Sequence, residues 1–358
     1  YGNPSSIHRY GRLANKAIEK ARKQIAMLIN ADPSEILFTS GGTESNNTAL
    51  YGIAAKKPHS QIITSSIEHD AILEPCKKLA KDGFDVIYLP VDNHGVVNLS
   101  ILKNSLSDNT CLVSVMFGNN EMGTIEPIAQ IAQLCNERNI PFHTDAVQAV
   151  GKITIDVKKL GVDLLSISSH KINGPKGIGA LYIRKGIDLI PIILGGGQEH
   201  GLRSGTENVA NIVGFGKACE LAKLNLSENI SHMKKLRDNL VATILREIPG
   251  VALNGHTENR LPNNAHFTFL GVAGEDLIIK LDEYGICAST GSACSVHTQK
   301  ASHVLQAMGF SHEQITGSLR LTLGLFNNQQ QIDETVNILK RVTAELRSVS
   351  PFKEKYSF

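Results

Sequence analysis

Short apolar runs alternate with helix-length segments through the first half of this chain, and the alternation restricts the folds it can adopt. The runs are residues 61–65, 86–89, 112–117, 140–144, 164–168 and 179–183. Their composition is typical of strands buried on both faces. Strands that are separated by helices pair in parallel, so the order predicts an α/β fold with a mostly parallel sheet between helices. Ligands bind such a fold at the carboxyl ends of the strands.

The character of the sequence changes near residue 227. A long charged helical pattern runs to Arg246, extended runs follow near residues 265–270 and 319–323, and an amphipathic helical pattern closes the chain. We therefore predict a large α/β domain over residues 1–226 and a smaller α+β C-terminal domain over residues 227–358.

Charge, hydropathy and cysteine usage exclude several classes of protein. The 36 basic and 34 acidic residues give a formal net charge of +2, so bulk charge predicts neither nucleic-acid nor membrane-surface binding. The longest uncharged apolar runs, such as residues 189–194, are far shorter than the roughly 18 residues of a membrane span. The six cysteines form no Cys-x-x-Cys pair, which favours reduced thiols over disulfides or a metal site. We expect a soluble, cytoplasmic protein.

Two charged side chains follow predicted strands, where a ligand is expected. Asp145 comes directly after residues 140–144, and Lys171 lies on a glycine-rich turn after residues 162–167. A lysine that forms an imine and an aspartate that keeps a pyridine nitrogen protonated are what a pyridoxal phosphate (PLP) site requires. A lysine after a strand is more often a solvated loop charge, so Lys171 alone does not decide between the two.

A glycine turn between a strand and a helix could hold a phosphate group. The apolar run 36–38 is followed by Thr39-Ser40-Gly41-Gly42-Thr43 and a helix start. Free backbone N–H groups and the positive end of the helix favour an anion there. The same residues could equally form an ordinary helix start with Thr43 as the cap.

Cys294 differs from the other cysteines. It lies in a run of small and polar residues, 289–295, which has no apolar periodicity and predicts an accessible loop. The other five lie in or beside predicted helices and strands, where a thiol behaves as a small apolar group. A reactive cysteine needs exposure and an environment that favours the thiolate, and the loop supplies the first of these.

Taken together, these motifs resemble the cysteine desulfurases, PLP enzymes of fold type I that are related to class V aminotransferases. The matching segments, in the family's order, are residues 39–46, 68–69, 119–124, 145–148, 168–177, 195–199, 202–206 and 291–294. The resemblance covers nearly the whole chain, and its end is similar to the housekeeping iron–sulfur-cluster branch. It implies PLP fold type I, with the cysteine loop in the smaller domain.

The resemblance assigns roles in binding the cofactor. Lys171 would hold PLP, Asp145 would pair with its ring nitrogen, and Gln148 would hydrogen-bond its ring oxygen. His69 would stack on the ring and assist proton transfer, although a lone histidine is more often structural. The remaining cofactor-binding residues that it implies are Gly42, Thr43, Asn120, Ser168, His170 and Thr206. Thr206 would reach the phosphate of a neighbouring subunit, which implies a two-fold homodimer.

The resemblance also implies the reaction. Asn120 and Arg320 would bind L-cysteine, with the guanidinium of Arg320 on the carboxylate. Cys294 would take the substrate sulfur as a persulfide and release alanine, so the catalytic residues would be Lys171, Cys294 and His69. The implied partners are a cluster scaffold and sulfur-relay acceptors. No resident metal is implied, and only transient contact of Cys294 with a nascent cluster is envisaged.

Two alternatives stay open. The same PLP site would serve a selenocysteine lyase or a cysteine sulfinate desulfinase, and a more distant alternative is a non-catalytic interaction subunit with this fold. Phe117 and Leu325 depart from the family, where a histidine and an arginine are common at those positions. The chain opens at Tyr1 without a methionine and without the family's early strand, so we expect processing or an incomplete N-terminus.

Overall fold

The computed structural model describes residues 2–291 and 301–350. The chain divides into two compact units. The first consists of Tyr1–Leu89, Val97–Phe117 and Glu126–Leu226, and the second of Pro90–Val96, Gly118–Ile125 and Ser227–Phe358. Cys294 lies outside the described residues.

The first unit is built on one large sheet covered by helices. Its strands are β1 (Ile36–Thr39), β2 (Gln61–Ser65), β3 (Asp85–Leu89), β4 (Thr110–Ser114), β5 (Phe142–Asp145), β6 (Leu164–Ser168) and β7 (Gly179–Ile183). Its helices are α1 (Arg9–Ile29), α2 (Gly42–Ala54), α3 (Asp70–Lys81), α4 (Leu99–Ser105), α5 (Ile128–Asn136), α6 (Val157–Leu160) and α7 (Val209–Leu224). The predicted α/β fold is confirmed.

Most neighbours in this sheet run parallel. Over the described residues the strand order is β1-β7-β6-β5-β4-β2-β3. The pairs from β3 across to β6 are all parallel, and β7 runs antiparallel to both β6 and β1. Strands β2, β4, β5 and β6 are buried along their whole length, because helices cover both faces. The strands β1, β2, β4, β5 and β6 therefore end at one edge of the sheet.

The core explains four of the cysteines. Cys76, Cys111, Cys135 and Cys219 are buried free thiols, as expected of small apolar groups. Burial raises the pKa of Cys76 and of Cys135 to about 12, so neither is a thiolate at neutral pH. Cys287 is exposed, so the expectation that its thiol is buried beside a strand was wrong.

The second unit packs helices against a small antiparallel sheet. Its helices are α8 (Leu226–Glu247), α9 (Gly274–Asp282), α10 (His303–Ala307), α11 (His312–Thr316) and α12 (Gln329–Val349). Its strands β8 (Val251–Leu253), β9 (Asn264–Phe269) and β10 (Ser318–Thr322) pair in the order β10-β9-β8. Phe267 and Phe269 of β9 are fully buried among apolar side chains of the helices. Burial of such side chains stabilises the unit by about 1.5–3 kcal/mol each.

Among the described residues, no helix combines the length and the apolar character that crossing a bilayer demands.

Candidate active site

Asp145 is the last residue of β5 and lies at the carboxyl edge of the large sheet. It is buried, and both carboxylate oxygens accept hydrogen bonds. Oδ2 accepts from Asn46 Nδ2 at 2.7 Å, and Oδ1 accepts from the backbone N–H of Val147 at 2.9 Å. A carboxylate has about four lone-pair sites, so these two bonds orient Asp145 and leave it able to accept another donor.

The strand that carries Asp145 is held on both sides by His143. This side chain is fully buried, with Nδ1 2.8 Å from Ser114 Oγ on β4 and Nε2 2.9 Å from Ser166 Oγ on β6. Burial lowers the pKa of His143 to about 3, so the imidazole is neutral. His143 and Asp145 are two residues apart on one strand and lie on the same face of the sheet. The bridge therefore fixes the position of Asp145.

Lys171 follows the neighbouring strand. Ser166 of β6 pairs with Asp145 in the sheet, and Lys171 lies exposed on the turn Ser169–Ile172 that comes directly after β6. The turn closes through a hydrogen bond from Gly174 N–H to the carbonyl of Ser169. A Cβ at Gly174 would lie 2.1 Å from Ser169 Oγ, so a larger residue there would displace the Ser169 side chain. The structure thus places Lys171 and Asp145 after adjacent parallel strands at one edge.

The start of α2 lies beside the end of β6. Gly41 is its N-cap and no side chain caps the helix, so the alternative with Thr43 as cap was wrong. Thr43 is exposed in the first turn. A Cβ at Gly42 would lie 2.7 Å from Val147 Cγ2 and 3.6 Å from Ser168 Cβ, which shows how closely these backbones approach. The uncapped helix start is an anion-binding feature.

Ser168 and His170 add polar groups beside that helix start. Ser168 is buried, His170 is exposed, and Ser168 Oγ lies 2.9 Å from His170 Nδ1. Burial of its ring and the nearby charge of Lys171 lower the pKa of His170. A neutral imidazole still has one N–H, so the pair offers donors to an anion.

Gln148 is half-buried and is oriented by Lys152. Gln148 Oε1 accepts a hydrogen bond from Lys152 Nζ at 3.0 Å, and the Gln148 carbonyl accepts from the same amine at 3.1 Å. Because its oxygen is held by Lys152, the Gln148 amide has its N–H groups available for another acceptor.

His69 comes directly before α3, at the edge of the sheet where β2 ends. It is half-buried and is the N-cap of the helix, with Nδ1 accepting the Ala71 N–H at 3.0 Å. The neutral ring must therefore carry its proton on Nε2. The structure thus gives His69 a defined tautomer and orientation.

Glu68, next to His69, is a site residue that the sequence did not single out for a role of its own. It is fully buried, and its Oε1 accepts from Ser65 Oγ at 2.6 Å and from Met116 N–H at 2.8 Å. Burial raises the pKa of Glu68 to about 8, and the charges of Asp145 and Glu126 act in the same direction. At neutral pH this carboxyl is therefore largely protonated.

We predict that Glu68 makes stability depend on pH between about 4.5 and about 8. In the unfolded chain its pKa has the ordinary value of 4.5, so only the folded state keeps the proton in this range. Because the folded pKa is raised, the stabilisation is complete below pH 4.5 and is lost as the pH rises through 8. We expect the free energy of unfolding of wild type, measured with denaturant, to fall from pH 5 to pH 8 relative to that of Glu68→Gln. Glutamine keeps an acceptor oxygen but cannot ionise. A difference that does not vary with pH would contradict the prediction.

Two ion pairs fix the loop that precedes Thr206. Arg22 and Glu199 form a buried pair, with Nη2 2.7 Å from Oε1, and Glu199 Oε2 also accepts the N–H of Phe38 in β1. Arg203 Nε lies 2.8 Å from Glu44 Oε1 in the first turn of α2. The loop is therefore attached to β1 and to the helix start.

Thr206 is exposed at the end of this loop.

In the second unit the structure brings Asn120 and Arg320 together. Both are half-buried, and Arg320 Nη1 of β10 donates to the carbonyl of Asn120 at 2.9 Å. The preceding Asn119 is buried, and its Oδ1 accepts the N–H groups of Glu121 and Met122. The side chain of Asn119 thus closes the turn that carries Asn120.

The two departures from the family pattern differ in their surroundings. Phe117 is buried, and its N–H donates to the carbonyl of Asp145 at 2.9 Å. Leu325 is exposed. The backbone of Phe117 is thus hydrogen-bonded to the end of β5, and its side chain is buried.

The chain belongs to the class-V aminotransferase family, whose profile matches residues 1–335. It is 51% identical to a cysteine desulfurase IscS of Dictyoglomus turgidum, over 99% of this chain and 91% of that protein. It is 50% identical to a cysteine desulfurase IscS of Methanosarcina thermophila, over 99% of this chain and 88% of that one.

Solved structures agree with this relationship. A NifS-like protein superposes with a TM-score of 0.89 at 42% identity, covering 98% of this chain and 92% of its own. A structure of SspA in complex with cysteine has a TM-score of 0.79 at 36% identity, with 92% of each chain covered. The family predicted from the motifs is confirmed.

Proposed function

We propose that this protein is a PLP-dependent cysteine desulfurase, which converts L-cysteine to L-alanine and takes the sulfur as a persulfide on Cys294. The observation that carries the proposal is the placement of Asp145 and Lys171 after adjacent parallel strands, at the edge where α2 starts without a side-chain cap. Relatives about half identical to this chain are named cysteine desulfurases, and a similar solved structure binds cysteine.

The residues at this edge fit PLP. Asp145 offers a buried, oriented acceptor to a protonated ring nitrogen, and Gln148 offers amide N–H groups to the ring oxygen. Gly42, Thr43, Ser168, His170 and the N–H groups at the start of α2 supply the donors that a phosphate needs. When bound, PLP supplies a carbon that combines with amines and a ring that withdraws charge from Cα.

The chain's own residues then carry the proton transfers. The amine of Lys171 would hold the cofactor and, when free, would take the proton from Cα of the substrate. His69 would assist proton transfers beside the cofactor through Nε2, since Nδ1 is occupied by the Ala71 N–H. In the proposal Arg320 would bind the substrate carboxylate with its planar guanidinium, and Asn120 would be a further substrate- and cofactor-binding residue.

Cys294 carries the sulfur step. Its thiolate forms a sulfur–sulfur bond to the substrate sulfur while the carbon–sulfur bond breaks, leaving the electron pair on carbon. Addition of protons to the resulting three-carbon fragment yields alanine, and the sulfur remains on the enzyme as a persulfide. The sum is cysteine to alanine with no external oxidant or reductant.

We further propose that the enzyme is a cytoplasmic homodimer that passes sulfur to an iron–sulfur scaffold and to sulfur-relay proteins. Four buried free cysteines are compatible with a reducing compartment. The IscS name of the relatives supports the link to cluster assembly.

Lys171→Ala should abolish alanine production and the visible absorption of the lysine-bound cofactor. Loss of the covalent link and of the general base should lower turnover by about a thousandfold or more. Absorbance spectra and alanine measured after addition of L-cysteine check this. Lys159→Ala, an exposed lysine on α6, is the matched control and should retain activity. Full activity of Lys171→Ala would refute the assignment.

Cys294→Ser should still bind cysteine and alter the cofactor spectrum but should form no persulfide, because an alcohol does not replace a thiolate nucleophile. Mass spectrometry of the protein after one turnover checks this. Persulfide on Cys287, the exposed cysteine among the described residues, would show that another thiol carries the sulfur. Undiminished activity on cysteine would instead favour a lyase or desulfinase that does not need Cys294.

Thr206 tests whether sites are shared between subunits. In a heterodimer of Lys171→Ala and Thr206→Ala protomers, a threonine donated across the interface places both defects in one site and leaves the other intact. Activity per heterodimer should approach about half that of wild type, because the sites of a symmetric dimer are equivalent. Tagged co-purification followed by a turnover assay checks this. Activity equal to the mean of the two mutant homodimers would show that Thr206 acts within its own subunit.

A further inference from the structure

The turn that carries Asn120 is held in the second unit by its backbone carbonyls. Three successive carbonyls accept hydrogen bonds from side chains: Asn120 from Arg320 at 2.9 Å, Glu121 from Asn264 at 3.0 Å, and Met122 from Arg260 at 2.8 Å. The donors lie on or beside β9 and β10. The position of this turn is therefore fixed by the small sheet.

The side chain of Glu121 contacts two residues that are distant from it in sequence. Glu121 is 2% exposed, and its Oε2 accepts a hydrogen bond from Ser302 Oγ at 2.6 Å. A Cβ built on Gly291 would lie 2.9 Å from the same oxygen, closer than real Cβ atoms come to a neighbour. One carboxylate oxygen therefore lies against both Gly291 and Ser302. These two residues stand on either side of Cys294 in the sequence.

Each of these flanking segments has a further attachment. Ser289 forms a backbone bridge with Arg320 of β10, and Ser318 Oγ donates to the carbonyl of Thr290 at 2.7 Å. Ser302 Oγ also accepts the Leu305 N–H at 3.2 Å as the N-cap of α10. The flanks of the cysteine segment are thus joined to the strand of Arg320 on one side and to a helix start on the other.

From these contacts we infer that Glu121 is a positioning residue for sulfur transfer: its carboxylate fixes the points from which the chain presents Cys294. The inference rests on the proposed function. Cys294 is only three residues from Gly291 along the chain. The position of Gly291 therefore limits where the thiol can reach. Misplacement of a reacting group by about 1 Å can cost a hundredfold in rate.

The test is single-turnover persulfide formation on Cys294 in the PLP-loaded protein. Glu121→Ala should slow this step by about 10- to 100-fold, within the range that misplaced groups produce. Glu121→Gln should stay within about threefold of wild type, because its amide oxygen still accepts from Ser302. Glu126→Ala is the matched control, since Glu126 is a second buried glutamate whose Oε2 accepts the Val97 N–H. It should not slow the step.

A double-mutant comparison asks whether Glu121 acts through Ser302. Ser302→Ala should slow persulfide formation, and adding Ser302→Ala to Glu121→Ala should cause little further loss, because residues that act through one bond are not additive. Independent, multiplying losses would overturn the proposed connection. Ser302→Ala also decides the question if Glu121→Ala does not fold.

Two further readouts separate positioning from general structural damage. The spectral change on cysteine binding and the alkylation rate of Cys294 by iodoacetamide should stay within about twofold of wild type in Glu121→Ala, because cofactor binding and the thiol itself are unchanged. Cofactor loss in proportion to the lost persulfide, or an unchanged persulfide rate, would overturn the inference. Failure of wild type to make alanine and persulfide would overturn the proposed function, and this inference with it.

Discussion

The parallel pairing of β5 with β4 and β6 is the constraint on which the candidate cofactor site depends. Parallel strands end at the same edge, so Asp145, the last residue of β5, and Lys171, on the turn after β6, both lie at that edge without any contact between their own side chains being required. His143 strengthens this pairing, because each ring nitrogen hydrogen-bonds a serine on a different adjacent strand. A charged imidazole could not replace it, since both serine hydroxyls would then have to accept and the buried charge would lack a counterion.

Burial disfavours a charge on Glu68 at this edge of the sheet. Asp145 accepts hydrogen bonds from Asn46 Nδ2 and from the backbone N–H of Val147. Glu68 has a raised pKa of about 8, and its protonation at neutral pH avoids a second buried charge close to the first. The same proton lets Glu68 fill a buried position beside His69 at a lower desolvation penalty. Glu68 therefore adds no second anion to this edge at neutral pH.

The positions where strands end can be predicted well from the sequence, but the hydrogen-bond partners that hold the residues at those ends cannot. Lys171 and Asp145 could be found because apolar runs stop just before them, and Gly42 because a glycine turn precedes a helix. Asn46 and His143 could not be found in this way, because their roles come from packing between distant segments: Asn46 reaches Asp145 across 99 residues of sequence. Thr43 was a reasonable cap by residue type, but Gly41 takes the N-cap position, which leaves the helix start uncapped. The antiparallel direction of β7 likewise cannot be predicted from an apolar run.

The segment Gly118–Ile125 belongs to the second unit, although the residues before and after it in the sequence belong to the first. Backbone groups of a turn need partners when they are buried, and here the partners are side chains of the second unit. Arg260 is the clearest case: burial lowers its pKa to about 10, yet it stays cationic at neutral pH and donates to the carbonyls of Met122 and His256. Hydrogen bonds from a charged donor are stronger than neutral ones and are directional. The geometry around Asn120 is therefore set by Arg260, Asn264 and Arg320, which lie on or beside β9 and β10.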